Sequence, residues 1–482
     1  DRYAGGWVAA YTDACEATHA RGEQSAALLD RRMACLARRR GELDALVTLL
    51  ASGGADAAEH AVSAVYGLRP VASCGAAAVG QVAPPAADQR AAVAEVEREL
   101  ARADALDLAG SPREALAVSR AATERAAAIG YPPLAARAAY QTGFLELLTG
   151  DLDRGRARLR EAVAAAQAAG DDDTAGQAAA ALLYAAAERA DADDGQAWAA
   201  FARASAARRG GDPLLVAKVH QYEGNLWRRR GDSPRAIGAY RAALAALEPA
   251  LGPEHPGIVS ALVGLGAALR ATGDVAEARA VYQRAADMAR ALAGPDHPMV
   301  GFPLGGLGNA LVAAGELERA AEVQAEVLRI WTAAFGERHP RVASALGNAA
   351  VLDLRRGQAG RALAGFERVL AIQLGTLGED HPKTALTRGH IGEALLALGR
   401  RREARASLES AAAVQERVLG PDHPDLGGTL SALGRLRCAA GDRAAGEELL
   451  RRALAIGEAR QHAGLTQAAR AGLDGCRPRR RR

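Results

Sequence analysis

At 482 residues the chain has room for two or three ordinary domains or one long array of repeats, and its 49% hydrophobic, 4% aromatic composition, dominated by Ala and Leu, points to closely packed helices. Its 60 basic residues, all arginine except Lys218 and Lys383, are interleaved with 57 acidic ones for a net charge of +3, which excludes a general nucleic-acid footprint. No apolar run reaches the roughly 18 to 20 residues of a membrane span.

The chain opens at Asp1 without a charged start and apolar core, so no signal peptide is visible and the expectation is a piece of a longer protein. Residues 1–75 read as an N-terminal helical segment. Two amphipathic helices, Trp7 to His19 and Ser25 to Leu50, flank Ala20 to Gln24; Gly53-Gly54 ends the second, and a third from Ala55 to Tyr66 leads into Leu68-Arg69-Pro70. Five cysteines without a Cys-x-x-Cys pair give no disulfide framework; Cys15 and Cys35, on neighbouring helices, either bridge in an oxidising compartment or remain buried thiols. An Ala-, Gly- and Pro-rich linker occupies 76–87.

Residues 88–210 read as degenerate helical hairpins, with turns at Gly110, Gly150 and near Asp191 to Gly195. Residues 211–471 form an array with a fixed step. Linkers ending at Pro256, Pro298, Pro340, Pro382 and Pro424 (LGPEHP, AGPDHP, FGERHP, LGEDHP, LGPDHP) recur every 42 residues. Gly231, Gly273, Gly315, Gly357, Gly399 and Gly441 keep the same beat, each followed five residues later by a very small residue: Ala236, Ala278, Ala320, Ala362, Ala404 and Gly446. A fixed period of this length marks stacked supersecondary units, and helical spacing such as Leu262, Leu265, Leu269 makes each unit two helices. The mid-unit glycine suits a left-handed helix end, and Glu254, His255 and Pro256 suit a helix start. About nine hairpins fit between Asp88 and Ala471. Residues 472–482 read as a basic disordered tail carrying Arg477 and Arg479 to Arg482.

Leu265-Gly266, Leu269, Ala278, Tyr282 and Ala285, with Gly224, Trp227, Ala236, Tyr240 and Ala243, resemble the tetratricopeptide repeat, in the 42-residue variant with a Gly-x-x-His-Pro linker found in kinesin light chains and bacterial signalling proteins. The phrases ACEATH (Ala14 to His19), GEQS (Gly22 to Ser25) and RRMACLARR (Arg31 to Arg39) resemble the segment that precedes such repeats in bacterial serine/threonine kinases. The resemblance implies an all-α fold, an α-α superhelix preceded by a small helical segment, and a kinase domain tethered upstream in the parent. With one membrane span, this part lies on the extracytoplasmic face of the bacterial inner membrane; otherwise it is cytoplasmic. A free-standing adaptor or repeat-type transcriptional regulator is the alternative.

The chain has no Gly-rich phosphate loop, His-Arg-Asp loop or Asp-Phe-Gly, so no phosphoryl transfer is expected from it, and no catalytic residue, cofactor or metal ligand is assigned. His255, His297, His339, His381 and His423 are a whole hairpin apart and read as caps rather than ligands of one ion. Function then falls to the concave face of the first helices, where a protein or peptide would lie. Counting from the turn glycines places Lys218, Gln221, Tyr222, Asn225, Arg228, Ser260, Arg270, Asn309, Ser344, Asn348, His390, Glu393 and Arg435 there.

Overall fold

The computed structural model describes residues 2–52, 55–76, 79, 82–252, 254–460 and 462–476, with the backbone alone at 55–60 and 463. Gly53-Gly54, part of the 76–87 linker and the arginine run from 477 to 482 lie outside the described residues. Those described fold into 22 α-helices and one 3-10 turn, arranged as two compact units, residues 1–299 and 300–482. Among them no helix is long and apolar enough to cross a membrane.

Unit 1 begins with α1 (Arg2–His19), α2 (Ala26–Ser52), α3 (Ala55–Gly67) and a 3-10 turn (Val71–Cys74), close to the elements read from sequence. The phrases singled out there are what hold this leader together. Arg32, buried, donates to Asp13 Oδ2 at 2.7 Å, to Gln24 Oε1 at 2.9 Å and to the Cys74 carbonyl at 3.3 Å, and Gln24 donates to the Ala14 carbonyl and the Thr18 hydroxyl, both at 2.7 Å. A buried guanidinium must have its donors satisfied, so this network dictates how α1, α2 and the 3-10 turn meet.

The cysteine pairing differs from expectation. Cys35 bridges Cys74, Cys438 bridges Cys476, and Cys15 is a free thiol. Cys35 packs with Leu36, Trp7, Ala10 and Val71, so the antiparallel α1–α2 pair sets it opposite the first half of α1, away from Cys15.

Hairpins follow: α4/α5 (Arg90–Leu108, Pro112–Ile129), α6/α7 (Pro132–Leu148, Leu152–Ala168), α8/α9 (Asp172–Glu188, Ala192–Arg208), α10/α11 (Pro213–Arg229, Ser233–Leu251) and α12/α13 (Pro256–Thr272, Val275–Ala293). Unit 2 holds α14/α15 (Pro298–Ala313, Leu317–Phe335), less the first two residues of α14, then α16/α17 (Pro340–Arg355, Ala359–Thr376), α18/α19 (Pro382–Ala397, Arg401–Leu419) and α20/α21 (Pro424–Ala439, Arg443–Ala459). A last helix, α22 (Ala463–Cys476), extends past residue 472, where the tail was expected to begin.

The turn glycines adopt the left-handed backbone foreseen for them, Gly273 with φ 87°. In the degenerate hairpins the turn between α8 and α9 falls at Ala190, whose φ of 53° places an alanine where its relatives have glycine, at a cost of about 1 kcal/mol. The small residue five positions after each glycine is fully buried in every alanine copy. Gly446 replaces alanine in the last hairpin because a Cβ there would lie 2.5 Å from the bridged Cys438 sulfur.

A second small–large pairing joins the two helices of each hairpin. A Cβ on Gly224 would lie 2.8 Å from the Tyr240 ring, on Gly266 2.8 Å from Tyr282, on Gly392 2.5 Å from Leu408 and on Gly434 2.6 Å from Leu450. The third hairpin of the step pairs Gly308 with Gln324 at 2.5 Å. In the fourth, Ala350 carries the methyl, and Gly365 on the facing helix makes room for it. Close backbone approach is the reason glycine is tolerated in these helix interiors despite its poor propensity.

Candidate peptide-binding grooves

Each linker histidine caps the helix that it precedes. The Nδ1 atoms of His255, His297, His339, His381 and His423 accept the backbone N–H two residues on at 3.0 to 3.2 Å, satisfying one orphan donor of the helix start. His462 caps α22 in a related way, accepting from the N–H three residues on, of Leu465, at 3.1 Å. The proline that follows needs no such partner, which explains the dipeptide physically.

In unit 1 the first helices α4, α6, α8, α10 and α12 present a face lined by Tyr140, Phe144, Tyr184 and Tyr222, whose rings follow one another at 6.4, 6.4 and 5.4 Å. Tyr222 was placed here from sequence. Tyr140, Phe144 and Tyr184 were not, because the degenerate hairpins lack His-Pro linkers to count from; stepping back from Tyr222 by about 40 residues finds Tyr184 and then Phe144. Lys218 donates to Gln177 Oε1 at 2.8 Å and Gln221 to the Ser260 hydroxyl at 2.7 Å, while Asn225 accepts from the Tyr240 hydroxyl at 2.7 Å. Arg228, Ser260 and Arg270 are exposed. Burial, with Arg69 nearby, pushes the Lys218 ammonium down to about 8.

This face is partly covered by the leader. Arg69 donates to Asp173 Oδ2 at 3.0 Å, and Arg209 takes the other carboxylate oxygen at 2.9 Å while also binding Asp212 at 2.8 Å. Burial by itself would raise Asp173, but Arg69 and Arg209 hold it down at about 2. Leu68 is buried among Leu46, Ala64 and Ala105, the Tyr3 hydroxyl donates to the Arg69 carbonyl at 2.8 Å, and Tyr66 meets the His255 ring edge-on at 5.1 Å.

His255 therefore serves both the cap of α12 and the leader. Burial lowers its pKa from 6.5, opposed in part by its hydrogen bond to the Tyr66 backbone. With the folded value depressed, the native state takes up fewer protons than the unfolded chain. Its contribution is complete above 6.5 and declines as pH drops from there toward the folded value. We expect backbone amides of residues 62–76 to exchange faster, beyond the intrinsic pH effect, at about pH 5.5 than at about pH 7.5, and His255→Asn, which keeps a cap acceptor, to abolish the difference. Equal protection at both pH values in the wild type would refute the coupling.

In unit 2, three residues picked from sequence converge. His390 stacks on Phe366 with centroids 5.2 Å apart, its Nδ1 lies 3.5 Å from Glu393 Oε2, and Arg435 Nη2 lies 4.0 Å from Glu393 Oε1. They line a cavity of about 260 Å³ with Asp425, Thr429 and His462. Ser431, missed from sequence, also lines it; it is 2% exposed and its hydroxyl has no partner. Asn309, Ser344 and Asn348 are exposed on earlier helices and lie outside this cavity.

The family model of the tetratricopeptide repeat matches 222–291, 257–333, 303–374, 341–416 and 384–459. Residues 222–459 are tetratricopeptide repeats. Such repeats serve as protein-interaction modules, offering the face of their first helices to a ligand. Among solved structures, the TPR-like repeats of a candidate kinesin light chain from Podosopora anserina are 27% identical, cover 43% of this chain and 99% of their own, and give a TM-score of 0.38. BtubC from P. vanneervenii is 23% identical over 53% of this chain and 94% of its own, with a TM-score of 0.38. A signal-transduction ATPase with a tetratricopeptide repeat sensor from Pyrococcus horikoshii is 12% identical over 78% of this chain and 55% of its own, with a TM-score of 0.54, a likeness of fold alone. No curated protein matches the sequence.

Proposed function

We propose that this chain is a peptide- and protein-binding scaffold that forms the regulatory or sensory part of a bacterial serine/threonine kinase, the catalytic domain lying elsewhere in the parent. The observation that carries the binding reading is the unit 2 cavity, where His390, Glu393, Arg435 and the unpartnered Ser431 hydroxyl offer donors and acceptors of both signs beside the apolar Leu386 and Leu465. A concave site with a few convergent polar groups suits a peptide side chain set into the face of the first helices.

The kinase reading is supported by the leader, where the family-like phrases supply Arg32, Gln24 and Cys35, the residues that set its internal geometry. Two disulfides support an extracytoplasmic position, since such bonds persist in oxidising compartments. Peptides selected on the full chain from a random library should bind Arg435→Ala and His390→Ala about tenfold more weakly than wild type, the effect of losing one charge-assisted contact. Selected peptides that bind both variants with unchanged affinity would remove this cavity from the function.

A further inference from the structure

The leader segment seated in unit 1 has the features of a ligand rather than of a scaffold element. Where α3 ends it meets alternate first helices: Leu68 packs against Ala105 of α4, Arg69 pairs with Asp173 of α8, and Tyr66 touches His255 at the head of α12. Residues far apart in sequence, 105, 173 and 255, are thereby met by the last turn of α3, through Tyr66, and by Leu68 and Arg69 just beyond it, a contact set such as a short peptide makes across stacked hairpins.

The Asp173 carboxylate has a hydrogen-bond partner within the stack itself. Arg209 holds Asp173 by one oxygen and is itself fixed by Asp212, so the second oxygen stays aimed at the position of an incoming guanidinium. Tyr140 and Asp104 line the same cavity as Arg69 and Asp173, and Gln141 donates to Asp104 Oδ1 at 2.6 Å, fixing that carboxylate too. Two restrained carboxylates offer an incoming guanidinium charge-assisted acceptors. The Arg69 and Asp173 side chains keep 37% and 33% of their surface exposed, so water can reach both charges as the pair opens.

We propose that the first-helix face of unit 1 is a receptor site for a peptide bearing an arginine preceded by an apolar residue, and that residues 66–70 are its built-in occupant, displaced when such a peptide binds. This rests on the reading of the first-helix faces as peptide-binding grooves and names the ligand class for unit 1. It makes the leader a competitor at high effective concentration, so an external ligand must outcompete a tethered one.

The test uses the full chain and a fluorescein-labelled peptide of residues 63–71, Ser-Ala-Val-Tyr-Gly-Leu-Arg-Pro-Val. Wild type should bind it weakly. Arg69→Ala, which releases the occupant, should bind it at least about tenfold more tightly, and adding Asp173→Asn should take that gain away. A peptide with alanine in place of its arginine should show no gain. Equal affinity of wild type and Arg69→Ala for the labelled peptide would overturn the proposal, as would a gain that survives Asp173→Asn. Because Arg69→Ala alters a docked segment, hydrogen exchange of wild type gives an independent arm: excess peptide should accelerate exchange at residues 62–76, and unchanged protection sinks the idea. Peptides lost on Arg435→Ala but indifferent to residues 69 and 173 would leave the wider scaffold reading standing while this inference falls.

Discussion

Gly266→Val should destabilise unit 1 by about 3 kcal/mol, the upper range for overpacking a filled core. The added Cβ would lie 2.8 to 2.9 Å from three atoms of the Tyr282 ring, and Tyr282 is only 3% exposed. Removing a helical glycine ordinarily stabilises a helix by up to about 1 kcal/mol, so a net loss isolates the packing cost from the propensity gain. Guanidinium unfolding followed by circular dichroism reads the midpoint, and Gly266→Val combined with Tyr282→Leu should recover part of the loss, since a smaller partner relieves the collision. A single variant that unfolds at the wild-type midpoint would mean that the hairpin is looser than the glycine contacts indicate.

Cleaving the Cys438–Cys476 bridge should have an effect of similar size at the other end. The bond closes a segment of 38 residues and ties α22 to α20, for which loop-closure entropy gives roughly 4 kcal/mol. Without it α22 is held by Leu465 and Ala469 against Leu426, Leu430 and Ile456, a modest apolar contact for a helix that closes a stack. Cys438→Ser should therefore lose exchange protection throughout 463–476 while the earlier hairpins keep theirs. A thiol assay on denatured, unreduced protein should count one free group, Cys15, and five after reduction. Three or five before reduction would contradict the pairing.

Much of the fold is legible in the sequence, because its determinants are local and repeated. The left-handed turn at Gly273, the cap and proline at His255 and Pro256, and the methyl-sized residue at Ala278 each act within a few residues, and a 42-residue step repeats each signal until chance is excluded. The degenerate hairpins were legible only in outline, since Ala190 stands where a glycine would have marked the turn.

Of the candidate site, sequence counting located the helix face but not the company that each residue keeps. His390, Glu393 and Arg435 were individually chosen, yet their convergence around Ser431 depends on how α18, α20 and α22 pack. The disulfides are a sharper case: spacing put Cys15 next to Cys35, whereas Trp7 and Leu36 fix a register in which Cys35 meets Cys74.

By itself, then, the amino-acid order determined the repeat unit, its helix starts and stops and which face of each first helix is polar, all consequences of capping, backbone freedom and helical period acting over one or two turns. Tertiary structure alone decided that Arg69 reaches Asp173, 104 residues away, and that the leader covers part of the first-helix face of unit 1. An ion pair over that distance is specified by the accumulated geometry of three stacked hairpins, and no local pattern encodes such a sum.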